Sequence, residues 1–212
     1  MYLVNWVFKT GIALIFIAAG IPANTSAQST PKFDSLKSMF EEGHVFNARF
    51  THQYNDGFTG EQQTSEGEIW IGREQYKIEG ENQQMLVDGE ISRVYDSQKN
   101  RVIISEYIEE EDDFAPSKML QGVDSTFSVT EQSAENNETL IRMISNDPFS
   151  IFAEVSIYLN ENGLPVRIRA VDQVDNELIT TFMDGKFEEE TAQVFQLSIP
   201  DDAEQVDLRY ES

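Results

Sequence analysis

Two histidines, His44 and His52, and no cysteine are all this 212-residue chain offers as imidazole base or thiol nucleophile. Nucleophilic hydrolysis needs a serine or cysteine oriented by a histidine, and no Gly-x-Ser-x-Gly elbow accompanies either one. The acidic pairs Asp112-Asp113 and Asp201-Asp202 do not sit in a spaced loop of oxygen ligands of the kind calcium needs. No glycine-rich phosphate loop is present. These absences point away from an enzyme, a metal site and a cofactor. Arg73 stands apart, because it ends Gly67-Glu68-Ile69-Trp70-Ile71-Gly72-Arg73, a stretch apolar on both faces. A guanidinium carries five donors and stays charged, so near helix ends it can satisfy several orphan carbonyls at once. From the residues alone an ordinary ion pair, for instance to Glu74, is the simpler reading.

The elements that must position Arg73 are mostly strands. Ser29 or Thr30 can cap a short helix with Pro31 in its first turn and Phe33, Leu36, Met39 and Phe40 on one face, ended by Gly43. From Val45 the period changes to two, with Phe46, Ala48 and Phe50 on one side and Asn47, Arg49 and Thr51 on the other. Strands are expected near 45–54, 65–72, 75–80, 84–88, 91–96 and 101–108, with tight turns at Asp88-Gly89 and Ser97 to Asn100. A second short helix is expected over 114–122. Further strands follow near 126–132, 138–144, 153–160, 164–172, 176–184 and 193–199. So many antiparallel strands with two helices predict a strongly curved, incomplete β-barrel of about 11 strands, covered by helices. A strand that is apolar on both faces fits such a sheet, covered on one side and lining a hydrophobic hollow on the other.

The chain opens on Lys9, an apolar run from Gly11 to Ile21, and the small residues before Gln28. This pattern reads as a secretory signal over residues 1–27 rather than a retained membrane anchor, leaving one domain over 28–212. Export without cysteine means no disulfide and no lipid tether through an N-terminal cysteine. The formal charge is −23, and loss of residues 1–27, whose one charge is Lys9, leaves −24. That excess disfavours nucleic acid and anionic headgroups as partners. Its densest run, Glu109 to Asp113, reads as a solvated loop.

Val45-Phe46-Asn47-Ala48-Arg49-Phe50-Thr51-His52-Gln53, then Gly67 to Arg73, Leu86-Val87-Asp88-Gly89 and Val94-Tyr95-Asp96 resemble, in order and spacing, the periplasmic lipoprotein-carrier proteins of the LolA type. Asn160 to Val171 and Phe195-Gln196-Leu197-Ser198-Ile199-Pro200 resemble that family's final strands. The resemblance implies a soluble periplasmic carrier, a half-open barrel under a helical lid that shelters acyl chains of lipoproteins. The implied partners are those acyl chains and an inner-membrane lipoprotein-releasing ABC transporter; whether an outer-membrane acceptor exists is left open, and the chain is expected to be a monomer. Arg73 matches the arginine that in the family holds the lid, although Glu74 stands where the family has proline.

The candidate cavity lining is Phe46, Phe50, Ile69, Trp70, Ile71, Leu86, Val94, Ile103 and Met119. Periodicity does not separate a filled interior from a cavity that opens, and a core role is the simpler reading for each. Two other classes of function fit the same strands: a periplasmic receptor for a free lipid, and a cell-envelope module that binds a protein partner on the curved sheet.

Overall fold

The computed structural model of the chain describes residues 29–108, 112, 116–122 and 125–209. The segment read as a secretory signal, residues 1–27, lies outside them, as do Glu109, Glu110, Glu111 and Asp113 of the acidic run.

Helix α1, Pro31–Glu41, has proline at its start and buries Phe33, Leu36 and Phe40. Thr30 occupies the N-cap position without a side-chain cap bond. The cap comes instead from far along the chain, where the Glu131 carboxylate accepts hydrogen bonds from the backbone N–H groups of Lys32 (2.9 Å) and Phe33 (3.0 Å). A carboxylate there satisfies two orphan donors and sits at the positive end of the helix dipole. Gly43, at φ +82°, stops the helix and turns the chain into the sheet.

The strands are β1 His44–Asn55, β2 Gln62–Ile71, β3 Tyr76–Glu79, β4 Gln83–Val87, β5 Ile91–Asp96 and β6 Arg101–Glu106, followed by α2 Pro116–Gln121. Then come β7 Phe127–Ser133, β8 Thr139–Ser145, β9 Phe152–Leu159, β10 Pro165–Asp172, β11 Glu177–Glu189 and β12 Glu204–Asp207. All twelve form one sheet in the order β12-β6-β5-β4-β3-β2-β1-β11-β10-β9-β8-β7. β7 and β12 stand at its two ends, so the barrel is open, as the strand pattern implies. Every pairing is antiparallel except β12 with β6.

One expected strand is not there. The alternation over 193–199 predicts pairing, but 192–195 are turns and 196–200 form no strand. The alternation of Phe195, Leu197 and Ile199 is real, yet it serves a segment that crosses the sheet. Phe195 packs on Gly72, and the N–H of Ser198 donates to Gln84 Oε1 at 3.1 Å. A chain lying across strands meets their side chains and not their ladders, so its apolar residues bury without sheet pairing. The crossing delivers β12 to the far side of β6, where it runs parallel; a parallel neighbour requires such a long connection.

Candidate functional site

The ladders sort every side chain to one of two faces, because residues directly opposite each other in an antiparallel pair share a face. The inner face carries both helices. Phe33, Leu36 and Phe40 of α1 and Met119 and Leu120 of α2 join Phe46, Ala48, Phe50, Ile69, Ile71, Ile141, Met143, Ile157, Leu159 and Phe182 in one buried cluster. Aromatic rings weld its centre: Phe46 meets Phe182 edge-on at 5.3 Å, and Phe40 meets Phe187 at 5.4 Å. Such contacts are worth about 0.5–1.5 kcal/mol beyond area burial.

One inner-face row runs out of this cluster across half the sheet. Ala48 pairs with Ile69, Ile69 with Ile78, Ile78 with Met85, Met85 with Val94, Val94 with Ile103, and Ile103 with Val206. Burial falls along it as far as Ile103, and Val206 at the end is half-buried. Ile69 is 0 % exposed, Ile78, Met85 and Val94 are half-buried, and Ile103 is 38 % exposed. An apolar floor that helices cover at one end and leave accessible at the other is a surface for an apolar ligand.

The nine expected lining residues therefore divide. Phe46, Phe50, Ile69, Ile71 and Met119 lie in the packed inner cluster. Val94 and Ile103 lie on the half-bare floor, together with Ile78, Met85 and Val206, which sequence reasoning missed. Trp70 and Leu86 are on the outer face. Trp70 pairs with Asn47 and Lys77, and Leu86 with Lys77 and Arg93. There Leu86, Tyr95 and Val102 are buried on the side crossed by the segment that touches Gly72 and Gln84. Lys77 is buried beside them, its ammonium 3.9 Å from the centre of the Trp70 ring and 3.1 Å from Glu79 Oε1. A cation this enclosed needs both partners to offset its lost hydration.

The turn between β2 and β3 does meet α2, through different atoms from those expected. Gln121 Nε2 donates to the backbone carbonyl of Arg73 at 2.7 Å, and Ser117 Oγ lies 3.5 Å from the carbonyl of Gln75. The Arg73 guanidinium is mostly exposed, with Glu74 at 4.0 Å. A second tie lies on the inner face, where the Asp112 carboxylate accepts hydrogen bonds from both Tyr76 and Tyr107, each 2.8 Å. Burial, and after it the Asp112 charge, holds the Tyr76 proton far above the ordinary phenol range, so Tyr76 remains a donor. Asp112, expected in a solvated loop, is instead a half-buried acceptor.

Both histidines have local roles. His44 Nδ1 lies 3.2 Å from the carbonyl of Met39 at the helix-to-strand turn, and His52 Nδ1 lies 2.8 Å from Thr180 Oγ1. Burial lowers the pKa of His52. Among the described residues no group of three or more histidine or acidic side chains is placed to hold a metal ion, and no helix is long and apolar enough to cross a membrane.

Fold and site together define an open, curved antiparallel sheet with helices on its inner face and an apolar row leading out from beneath them. No protein-family model matches the chain, and no curated protein does. Solved structures resemble the chain at low sequence identity. It is similar to an uncharacterized conserved protein from Thermus thermophilus, at 12% identity and a TM-score of 0.51, over 82% of this chain and 98% of that one. A LolA superfamily protein from Nitrosomonas europaea matches at 11% identity and a TM-score of 0.42, over 77% of this chain and 97% of that one. A DUF1329 family protein from Desulfovibrio piger matches at 9% identity and a TM-score of 0.43, over 79% of this chain and 96% of that one.

Proposed function

We propose that the protein is a periplasmic carrier that holds the acyl chains of lipoproteins against its inner face and moves them between membranes. The observation that carries this reading is the row Ile69, Ile78, Met85, Val94, Ile103, buried under the helices at Ile69 and accessible at Ile103. The resemblance of Val45 to Gln53, Gly67 to Arg73 and Val94 to Asp96 to lipoprotein carriers supports the same ligand class. Each methylene withdrawn from water contributes about 0.8 kcal/mol, so a carrier must cover acyl chains and still release them. A cover held by few hydrogen bonds suits both needs, since the energy of closing subtracts from ligand affinity.

In this reading α2 is the moving cover, and its fastening to the β2–β3 turn is the bond from Gln121 to the Arg73 carbonyl. The guanidinium of Arg73 is dispensable for it. Gln121→Ala is expected to speed acyl-chain exchange while lowering stability by about 1 kcal/mol, and Arg73→Leu to leave exchange unchanged. The deciding experiment titrates the delipidated chain with a fluorescent fatty acid and with a triacylated lipopeptide. Saturable binding of both, weakened by Val94→Asp and Ile103→Asp, supports the carrier. Binding of the fatty acid alone points to a free-lipid receptor, and no saturable binding of either rejects the reading.

A further inference from the structure

Strand β2 has an edge in the middle of the sheet. It pairs with β1 along its whole length, from Gln62 with Asn55 to Ile71 with Phe46. On its other side it meets β3 only from Glu68 to Ile71, because β3 ends at Glu79. From Gln62 to Glu66 no described strand lies against that side, and all five residues are exposed.

The hydrogen-bonding direction along β2 can be followed residue by residue. The Gly72 N–H donates to the Gln75 carbonyl, toward β3, while the Ile69 carbonyl accepts from the Asn47 side chain, toward β1. Direction alternates along a strand, so Gln62, Thr64 and Glu66 turn their N–H and C=O groups to the open side and Gln63 and Ser65 turn theirs to β1. No proline, no lysine and no bulge interrupts Gln62 to Glu66, and Glu66 is the one charged residue in the stretch.

A cleft of about 990 Å³ lies against this edge, lined by Thr64, Glu66, Gly67, Gly80, Glu81 and Gln83 among others. Gly67 makes it: a Cβ there would lie 2.2 Å from the Glu79 carbonyl oxygen, so only glycine lets β3 approach and then end beside β2. The cleft is acidic, with Glu66, Glu68 and Glu81 along it. Its cation Arg49 is already joined to Asp184. Glu66 closes the free stretch and turns its side chain to the outer face, whereas Glu68 beyond it is already opposite Glu79 of β3 and accepts a hydrogen bond from Asn47 at 2.9 Å.

We propose that this free side of β2 takes an extended peptide of another protein as an added strand, with lysine or arginine at the alternate positions opposite Thr64 and Glu66, which reach the Glu66 carboxylate on the diagonal and directly. Main-chain bonds to Gln62, Thr64 and Glu66 would supply the affinity and the Glu66 carboxylate the selectivity. The site is separate from the apolar row and does not depend on acyl-chain binding.

The probe is a fluorescent hexapeptide of alternating lysine and threonine, read by anisotropy on the full chain at about 0.15 M salt, where diffuse attraction to an acidic protein is screened. A block peptide of the same composition, three lysines then three threonines, should bind at least about tenfold more weakly. Thr64→Pro removes one outward N–H without touching the β1 ladder, and should weaken the alternating peptide by about tenfold or more while Thr64→Ala leaves it unchanged. In the parent chain the alternating peptide should slow hydrogen exchange at the Thr64 amide, a readout that holds even if the proline variant does not fold. Equal binding of both peptides, no protection of Thr64, or a self-associated dimer that Thr64→Pro abolishes in the absence of peptide binding would each overturn the proposal.

Discussion

The two halves of the sheet are covered differently. In β7 to β11 the inner face is packed under the helices, and the outer face is an ion-pair ladder: Arg142 to Glu154 at 2.6 Å, Arg169 to Glu177 at 2.6 Å, and Arg167 over the Tyr158 ring at 3.8 Å. In β3 to β6 the outer face buries Leu86, Tyr95 and Val102 on the side where the C-terminal segment crosses, while on the inner face Tyr76 and Val87 stay buried and the apolar row is half-buried from Ile78 to Val94 and exposed at Ile103. A sheet needs only one well-buried face to be stable, so covering the second half from outside leaves its inner face available for a ligand. The molecule can thus be rigid and partly bare at once.

This contrast is open to direct test. Phe46→Ala, in the packed half, is expected to cost about 3–5 kcal/mol in urea unfolding, and Ile103→Ala, on the bare floor, less than about 1 kcal/mol. Equal losses would mean that the halves do not differ. Leu86→Ala probes the outer core and should cost about 2–4 kcal/mol without weakening acyl-chain binding; a neutral effect would show that the crossing segment contributes no cover. The smallest effect is pH-dependent. Burial depresses the folded-state pKa of His52 below 6.5, so as pH falls through that value the unfolded chain takes up a proton before the folded one. Stability present above pH 6.5 is therefore lost below it, until the folded-state pKa is reached. The urea midpoint should fall between about pH 7 and pH 5.5, and His52→Gln should flatten that part of the profile. Asp96 and Glu154, whose pKa values are lowered by hydrogen bonds from Lys99 and Arg142 despite the opposing effect of burial, add their loss at lower pH.

Much of this is legible in the residues, and the misses have a common cause. Period-two alternation and turn chemistry locate eleven of the strands, and Asn100, Asp175 and Gly163 occupy left-handed turn positions that their types favour. The apolarity of Gly67 to Arg73 on both faces anticipates cover on both sides, with the crossing segment taking the outer one. Trp70 and Leu86 fall in with Phe46 on sequence grounds because apolarity says nothing about which face a residue joins once both faces are buried. Register separates them: the Asp88-Gly89 turn sets Met85 against Val94 and Leu86 against Arg93. Asp112, Gln121 and Glu131 give no signal, since each acts on a partner distant in sequence or on a backbone group.

Local sequence determined strands, turns, the two helices and which stretches are greasy, because alternation and backbone preference act within a few residues. Tertiary structure alone decided which greasy face is filled, where β12 docks, and that β3 stops short of β2. Those outcomes depend on contacts between segments far apart in sequence, such as Arg101 with Glu204 and Phe40 with Phe187, and no local preference encodes them.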